Sequence, residues 1–171
     1  MKKQKIIVTS ILLVLSFIFM PISSVFAAPN PSTPADIVYT ALNHKELKTF
    51  VSALQAAGLV HALEVDGSFT VFAPTDNAFA SLPTDTLKNL LKPENKENLN
   101  DILLYHVFNG KVTAQDAAKL NGQEIDMMNG EKAKISVKDG KVFINDAEVV
   151  IADINTTNGI IHVIDTVLMP K

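Results

Sequence analysis

Two stretches of the sequence decide the fold: Phe69–Leu82, FTVFAPTDNAFASL, and Asn158–Leu168, NGIIHVIDTVL. The first stretch opens with β-branched and aromatic residues, which predict a buried strand over Ser68–Ala73 that ends at Pro74. The second stretch predicts a strand over Ile160–Val167. This strand is so rich in Ile and Val that we expect it inside a sheet rather than at an edge.

Helical patterns lie on either side of the first stretch. Thr75 is placed to cap a short helix, and Asp76 lies in the positively polarised first turn of that helix. A helix near the start of the domain is predicted to have Thr33 as its cap and Pro34 as its first residue. Another helix is predicted to stop at Gly58, because apolar residues recur before it at helical spacing, at Leu47, Phe50, Val51 and Leu54.

A longer helix is predicted from Pro93 to a stop at Asn109-Gly110. In this helix His106 shares one face with apolar residues, so we expect it to be a buried, hydrogen-bonded core histidine rather than a ligand. The apolar residues of that face are Leu99, Ile102 and Leu103.

The second half of the chain changes to the alternation typical of strands. Strands are predicted over Lys134–Val137, Lys141–Ile144 and Glu148–Ile154, and Asp139-Gly140 predicts a tight hairpin between the first two. Because helices come first and hairpin-linked strands follow, the fold class is predicted to be α+β and not a doubly wound parallel sheet.

Three motifs in this order resemble the fasciclin-like domain family. They are the Pro-Thr-Asp turn after the first strand, Tyr105-His106, and the Asn-Gly-x-Ile-His-x-Ile-Asp segment that starts at Asn158. The resemblance covers about residues 34–170, nearly all of the chain after the predicted signal peptide. It implies a wedge of β-strands packed with several α-helices, the helices mainly in the N-terminal half, in a domain that is often extracellular, associated with adhesion and not catalytic.

The family motifs single out eight residues, for which we expect mainly structural roles. His162 and Asp165 are three residues apart in a strand and point to opposite faces, so they are not expected to pair. The eight residues are Thr75, Asp76, Tyr105, His106, Asn158, Gly159, His162 and Asp165.

The N-terminus has the layout of a secretory signal peptide over residues 1–27. Lysines precede an apolar run, and Val25-Phe26-Ala27 places small residues before a cleavage site at Ala28. The alternative is an uncleaved membrane anchor, because Ile6–Ala28 carries no charge and is long enough to span a bilayer. Residues 28–33 are predicted to be a Pro-rich spacer, and the domain occupies residues 34–171.

Composition argues against several classes of function. The chain has no Cys and no Arg, and its net charge of −3 argues against nucleic-acid binding, which requires basic residues against phosphates. The four histidines lack metal-ligand spacing, and Asp153–Gly159 matches a calcium loop poorly. Because the sequence also contains no G-x-S-x-G, no H-E-x-x-H and no phosphate-cradling glycine loop, we expect no enzyme, no metal and no cofactor.

The sequence predicts a secreted, non-catalytic module that binds an extracellular or cell-surface protein or polysaccharide. After cleavage of the signal peptide we expect no stable membrane anchor, because the chain has no lipidation cysteine and no C-terminal apolar tail. Two alternatives stay open: a carrier of an apolar ligand such as a pigment or haem, and an enzyme.

Overall fold

The computed structural model of the chain describes residues 35–64 and 67–170. The predicted signal peptide (residues 1–27), the spacer (28–33) and the Thr33-Pro34 helix start lie outside the described residues. Within the described part the helices are α1 (Ile37–Asn43), α2 (Lys48–Ala57), α3 (Val60–Glu64), α4 (Asp76–Ala80), α5 (Thr84–Leu90), α6 (Lys96–Leu104, preceded by a 3₁₀ turn at Pro93–Asn95) and α7 (Ala114–Lys119).

The strands form a seven-stranded sheet in the order β2-β1-β7-β6-β5-β4-β3. Five of these strands follow one another from the middle of the chain to its end, whereas most helices precede them, so the α+β prediction is confirmed. The strands are β1 (Phe69–Pro74), β2 (Val107–Asn109), β3 (Glu124–Asp126), β4 (Lys132–Lys138), β5 (Lys141–Ile144), β6 (Ala147–Asn155) and β7 (Gly159–Ile164).

The two stretches that decide the fold lie side by side at the centre of this sheet. β1 and β7 pair in parallel from Phe69 opposite Gly159 to Pro74 opposite Ile164, whereas the other strand pairs are antiparallel. All six residues of each strand are buried. The prediction that the last strand lies inside the sheet is therefore confirmed.

The sheet curls until its two outer strands approach each other. Phe108 of β2 forms an antiparallel bridge with Met127, the residue after β3. The backbone N–H of Met128 also donates a hydrogen bond to the carbonyl of Val107, with an N···O distance of 2.9 Å. The sheet is thus nearly closed, and it has an inner face and an outer face.

Both faces of the central strands are covered by apolar side chains. One core lies between the sheet and helices α1, α2, α4 and α6; its largest members include Ile37, Phe50, Leu54, Leu103 and Ile161. The second core fills the inside of the curl and includes Phe72, Tyr105, Ile135, Ile144 and Ile164. Burial on both faces explains why β7 reads as a continuous apolar run instead of an alternating one.

Two local turns follow the sequence prediction. Gly58 ends α2 in a left-handed conformation, with φ 77°. Asp139 (φ 52°) and Gly140 (φ 77°) connect β4 to β5, and both positive φ angles are those that a two-residue hairpin turn requires.

The helix predicted from Pro93 to Asn109-Gly110 is wrong after Leu104. α6 ends at Leu104, and Val107–Asn109 forms β2, which pairs with β1. His106 therefore lies in the connection between a helix and a strand, not on a helix face. The run that contains it is apolar enough for either structure, and the pairing with β1 decides for the strand.

The first helix also begins later than predicted. α1 starts at Ile37, and its cap is Asp36, whose carboxylate accepts a hydrogen bond from the N–H of Tyr39 at 2.7 Å. Asp36 is as good a capping residue as threonine, so the sequence offered two caps and the downstream one is used.

Candidate functional site

The Thr75-Asp76 corner joins β1 to two helices. The Thr75 hydroxyl caps α4 by accepting a hydrogen bond from the N–H of Ala78 at 3.1 Å. The Asp76 carboxylate accepts a hydrogen bond from the N–H of Thr49, in the first turn of α2, at 2.7 Å. The residue before α2, Leu47, makes no side-chain cap. Asp76 therefore supplies from a distance the negative charge that the α2 N-terminus favours.

Asn158 connects three distant segments at the start of β7. Its side-chain oxygen accepts a hydrogen bond from the N–H of Ile37 (3.0 Å), and its amide nitrogen donates to the carbonyl of Leu63 (2.6 Å). The Asn158 carbonyl accepts from the N–H of Phe69, at the start of β1. Asn158 is only 4% exposed. Its side chain thus joins α1 and α3 to the central strands.

Gly159 lies directly across from Phe69 in the parallel pairing of the two central strands. A Cβ atom at this position would collide with the carbonyl oxygen of Phe69 and would lie 2.9 Å from the Cδ1 of Ile37. Because the colliding atom belongs to the backbone of β1, it cannot move aside without breaking the strand pairing. Glycine is therefore required here for space.

Tyr105 is buried inside the curl with its hydroxyl at one end. The hydroxyl donates a hydrogen bond to the carbonyl of Lys132 and accepts one from the Asn145 amide nitrogen, each at 2.9 Å. Asn145, which has a φ of 53°, also accepts a hydrogen bond from the N–H of Lys134 at 2.8 Å. Sequence analysis missed Asn145; its place in the short turn between β5 and β6 is the only pattern that could have indicated it.

His106 is fully buried and holds the C-terminal segment that follows β7. Its Nδ1 lies 2.8 Å from the carbonyl oxygen of Ile102, and its Nε2 accepts a hydrogen bond from the N–H of Leu168 at 3.0 Å. A carbonyl can only accept and an amide N–H can only donate, so the ring is neutral with its proton on Nδ1. Burial lowers the pKa of His106 from 6.5 to about 4, with the bond to Ile102 opposing the shift.

His162 lies on the inner face of β7 and stacks on Phe72, with ring centroids 5.6 Å apart. Its Nε2 donates to the carbonyl of Val112 (2.8 Å), and its Nδ1 accepts from the N–H of Asp153 (3.2 Å). Burial lowers the pKa of His162, whereas the Val112 bond and the Asp153 carboxylate act in the opposite direction.

Asp165 makes contacts that are separate from those of His162. It is exposed, and its carboxylate accepts hydrogen bonds from the N–H of Glu148 at 2.9 Å and from the hydroxyl of Thr166 at 3.0 Å. The carboxylate therefore fixes the corner at which the chain leaves β7.

The sequence-predicted residues do not converge on one pocket. Thr75 lies beside the C-terminal end of β7, where its N–H donates to the carbonyl of Ile164 at 3.0 Å. Asn158 and Gly159 lie at the opposite end of the same strand, and the two buried histidines bind separate backbone segments. The arrangement fixes segments relative to one another; it does not present a nucleophile beside a base.

Sequence analysis also missed Thr70, a fully buried residue on β1. Its hydroxyl donates to the carbonyl of Gly110 at 2.6 Å and accepts from the N–H of Val112 at 2.9 Å. Nothing in the local sequence distinguishes it from other strand threonines, because both partners lie about 40 residues away.

Among the described residues, no group of three or more His, Cys, Asp or Glu side chains is placed to hold a metal ion. Asp153, the first residue of the weak calcium-loop match, instead accepts a hydrogen bond from the N–H of Ala114 at the start of α7. In the same described part of the chain, no helix is long and apolar enough to cross a membrane.

Two sequence relatives, a solved structure and a family model match this chain. Protein sll1483 of Synechocystis is 46% identical over 148 residues, which are 86% of this chain and 81% of that protein. Immunogenic protein MPB70 of Mycobacterium bovis is 31% identical over 158 residues, covering 85% of this chain and 78% of that protein.

The fold also matches a solved structure. A domain pair from the insect cell adhesion molecule fasciclin I superposes with a TM-score of 0.71 at 20% sequence identity. The match covers 80% of this chain and 51% of that chain, so this chain spans about half of the solved pair. The fasciclin domain model matches residues 45–170. The chain therefore belongs to the fasciclin domain family, whose members are in general non-catalytic, adhesion-related extracellular proteins.

Proposed function

We propose that this chain is a secreted module that binds a cell-surface or extracellular protein or polysaccharide and catalyses no reaction. Family membership supports the general class, since one solved relative is an insect cell adhesion molecule. Export rests on the signal peptide predicted over residues 1–27. With that segment removed, the mature chain would have twelve lysines against eighteen acidic residues.

One observation carries the non-catalytic part of the proposal. The polar side chains that the family motifs place in the interior, at His106, Asn158 and His162, bond to backbone groups of distant segments. A general base must be within reach of a substrate proton, and a nucleophile must be open to attack. Side chains bonded on both ends inside the core support the fold instead.

One apolar hollow among the described residues is too small to support the ligand-carrier alternative. The hollow lies beside Phe72 and His162, and its volume is about 10 Å³. That is close to the smallest space that can hold one water molecule. A pigment or a haem is many times larger and would have to displace the core around β7.

The test is retention of surface material by the immobilised chain, residues 28–171. Whole cells of the producing organism, their extracted proteins and polysaccharides, and neutral lipid vesicles as a control are passed over it. We expect retention of cells and of one extracted fraction, with a moderate dependence on salt because the module lacks a dense basic patch. Retention of none of these materials, or purification with a stoichiometric chromophore, would overturn the proposal.

A further inference from the structure

A groove of about 800 Å³ opens at the end of the curled sheet, beside the segment that follows β7. Its walls come from the turn before β4, the turn between β5 and β6, and residues 166–169. The buried Tyr105 lies at its floor. This volume falls within the range of natural ligand sites, roughly 300–1,000 Å³.

The two residues of the Tyr-His motif hold opposite walls of this groove. The Tyr105 hydroxyl binds the Lys132 carbonyl and the Asn145 side chain, which fixes the sheet-side wall. His106, the next residue, accepts the hydrogen bond from Leu168 and so fixes the other wall. Because hydrogen bonds to buried side chains fix its walls, the groove is preorganised. Little conformational entropy of the protein is then lost when a ligand binds.

Charges of both signs line the groove: two lysines, Lys132 and Lys134, and three acidic residues, Glu124, Glu131 and Asp146. Lys134 lies directly across from Glu124 in the β3–β4 register, and Lys132 lies across from Asp126 with an N···O distance of 3.9 Å. Asp146 adds a further exposed carboxylate on the opposite turn. A polyanion would therefore meet carboxylates and a polycation would meet lysines. An apolar ligand would displace water from these charged side chains without replacing the hydrogen bonds that water makes to them, which is unfavourable.

We propose that this groove binds a neutral polysaccharide chain, whose hydroxyl groups both donate and accept hydrogen bonds. The inference rests on the proposed binding function and specifies its site and its ligand class. A protein partner fits the groove less well, because protein interfaces bury aromatic anchors at their centre and Met169 is the one large exposed apolar side chain among the described groove-lining residues. Without an exposed aromatic platform a single site binds weakly, and adhesion relies on many copies.

The experiment maps binding on the ¹⁵N-labelled chain, residues 28–171, by amide chemical shifts. The probes are neutral hexasaccharides of glucose, mannose, galactose and N-acetylglucosamine, with oligogalacturonate, oligolysine and an uncharged peptide as comparisons. We expect at least one neutral hexasaccharide to give saturable shifts at Gly130, Asp146 and Thr166. The proposal is overturned if none of the neutral probes shifts these amides at about 10 mM, or if a charged probe or the peptide binds the groove more tightly.

Two variants and a matched control locate the site. Lys134→Ala removes a charged donor from the groove and should weaken binding about tenfold. Lys138→Ala makes the same change on the same strand outside the groove and should leave affinity within about twofold. Thr166→Trp fills the groove from an exposed position and should abolish the shifts. Thermal melts verify that each variant is folded, and equal effects of Lys134→Ala and Lys138→Ala would refute the site.

Cell retention separates failure of the groove from failure of the proposed function. If immobilised wild type and Thr166→Trp retain cells equally, the groove assignment is wrong and the binding function stands. If neither retains cells, the proposed function itself fails. Retention by wild type and not by Thr166→Trp supports both.

Discussion

Replacing His106 with alanine removes a fully buried ring together with two hydrogen bonds. The carbonyl of Ile102 and the N–H of Leu168 lose their partner, and a buried polar group without a partner costs about 1–3 kcal/mol. The ring also packs near Phe50, with centroids 6.2 Å apart, so its loss leaves a cavity as well. We expect His106→Ala to lower the free energy of unfolding by about 3–5 kcal/mol at pH 7.

The same residue makes this loss depend on pH. The folded-state pKa of His106 is about 4, below its ordinary value of 6.5, so the unfolded chain binds more protons between these values. The stability that depends on a neutral His106 is therefore fully present above pH 6.5 and is lost as the pH falls towards 4. From pH 7 to pH 5 the loss from His106 is about 2 kcal/mol in the wild type and is absent in His106→Ala.

Urea unfolding at pH 7 and pH 5 measures both effects, and His162, present in both proteins, cancels in the comparison. The gap between wild type and variant should narrow by about 2 kcal/mol at pH 5. If His106→Ala and the wild type had the same urea midpoint at pH 7, His106 would not contribute to stability. A gap that stays constant between the two pH values would mean that the ring is not held neutral by burial.

Four other outcomes are expected. Asn158→Ala should lower the free energy of unfolding by about 2–4 kcal/mol. The control Asn155→Ala changes an exposed asparagine three residues earlier and should alter the free energy of unfolding by less than about 0.5 kcal/mol. Thermal unfolding compares the two variants, and equal effects would refute the role of Asn158. Gly159→Ala should lower the free energy of unfolding, measured in urea, by more than about 2 kcal/mol, because the added Cβ collides with the backbone of β1. A urea midpoint equal to that of the wild type would exclude the collision. Asp76→Ala should lower the free energy of unfolding by about 1–2 kcal/mol, because the N-terminus of α2 loses its capping carboxylate. A loss below about 0.3 kcal/mol that does not change with salt concentration would contradict this role. N-terminal sequencing of the secreted protein should begin at Ala28, and a membrane-bound form that retains the apolar run would show an anchor instead.

Features with a local physical cause were predictable from the sequence. Gly58 ends α2, Asp139-Gly140 turns β4 into β5, and Thr75 caps α4, because each depends on the backbone preference or the side chain of a residue at the turn itself. The capping pair Thr113 and Asp116 at the start of α7 is equally local, with mutual side-chain hydrogen bonds. The Thr-x-x-Asp spacing that produces it is visible in the sequence.

Features that depend on distant partners were not predictable. β2 exists because Val107 pairs with Val71 of β1, and the apolar run before it suits a helix just as well. Asn158 resembles an ordinary Asn-Gly turn residue, yet its partners lie 121 and 95 residues away in the chain. The groove is a further example, since its walls come from segments that only the curl of the sheet brings together.

The most direct test of the account is a binding isotherm of the chain, residues 28–171, on the surface of the cells that produce it. The account predicts saturable binding that excess unlabelled chain competes away, with the bound surface material recovered chemically unchanged. Linear, uncompeted uptake would contradict specific binding, and recovery of chemically altered material would show that the chain is a catalyst.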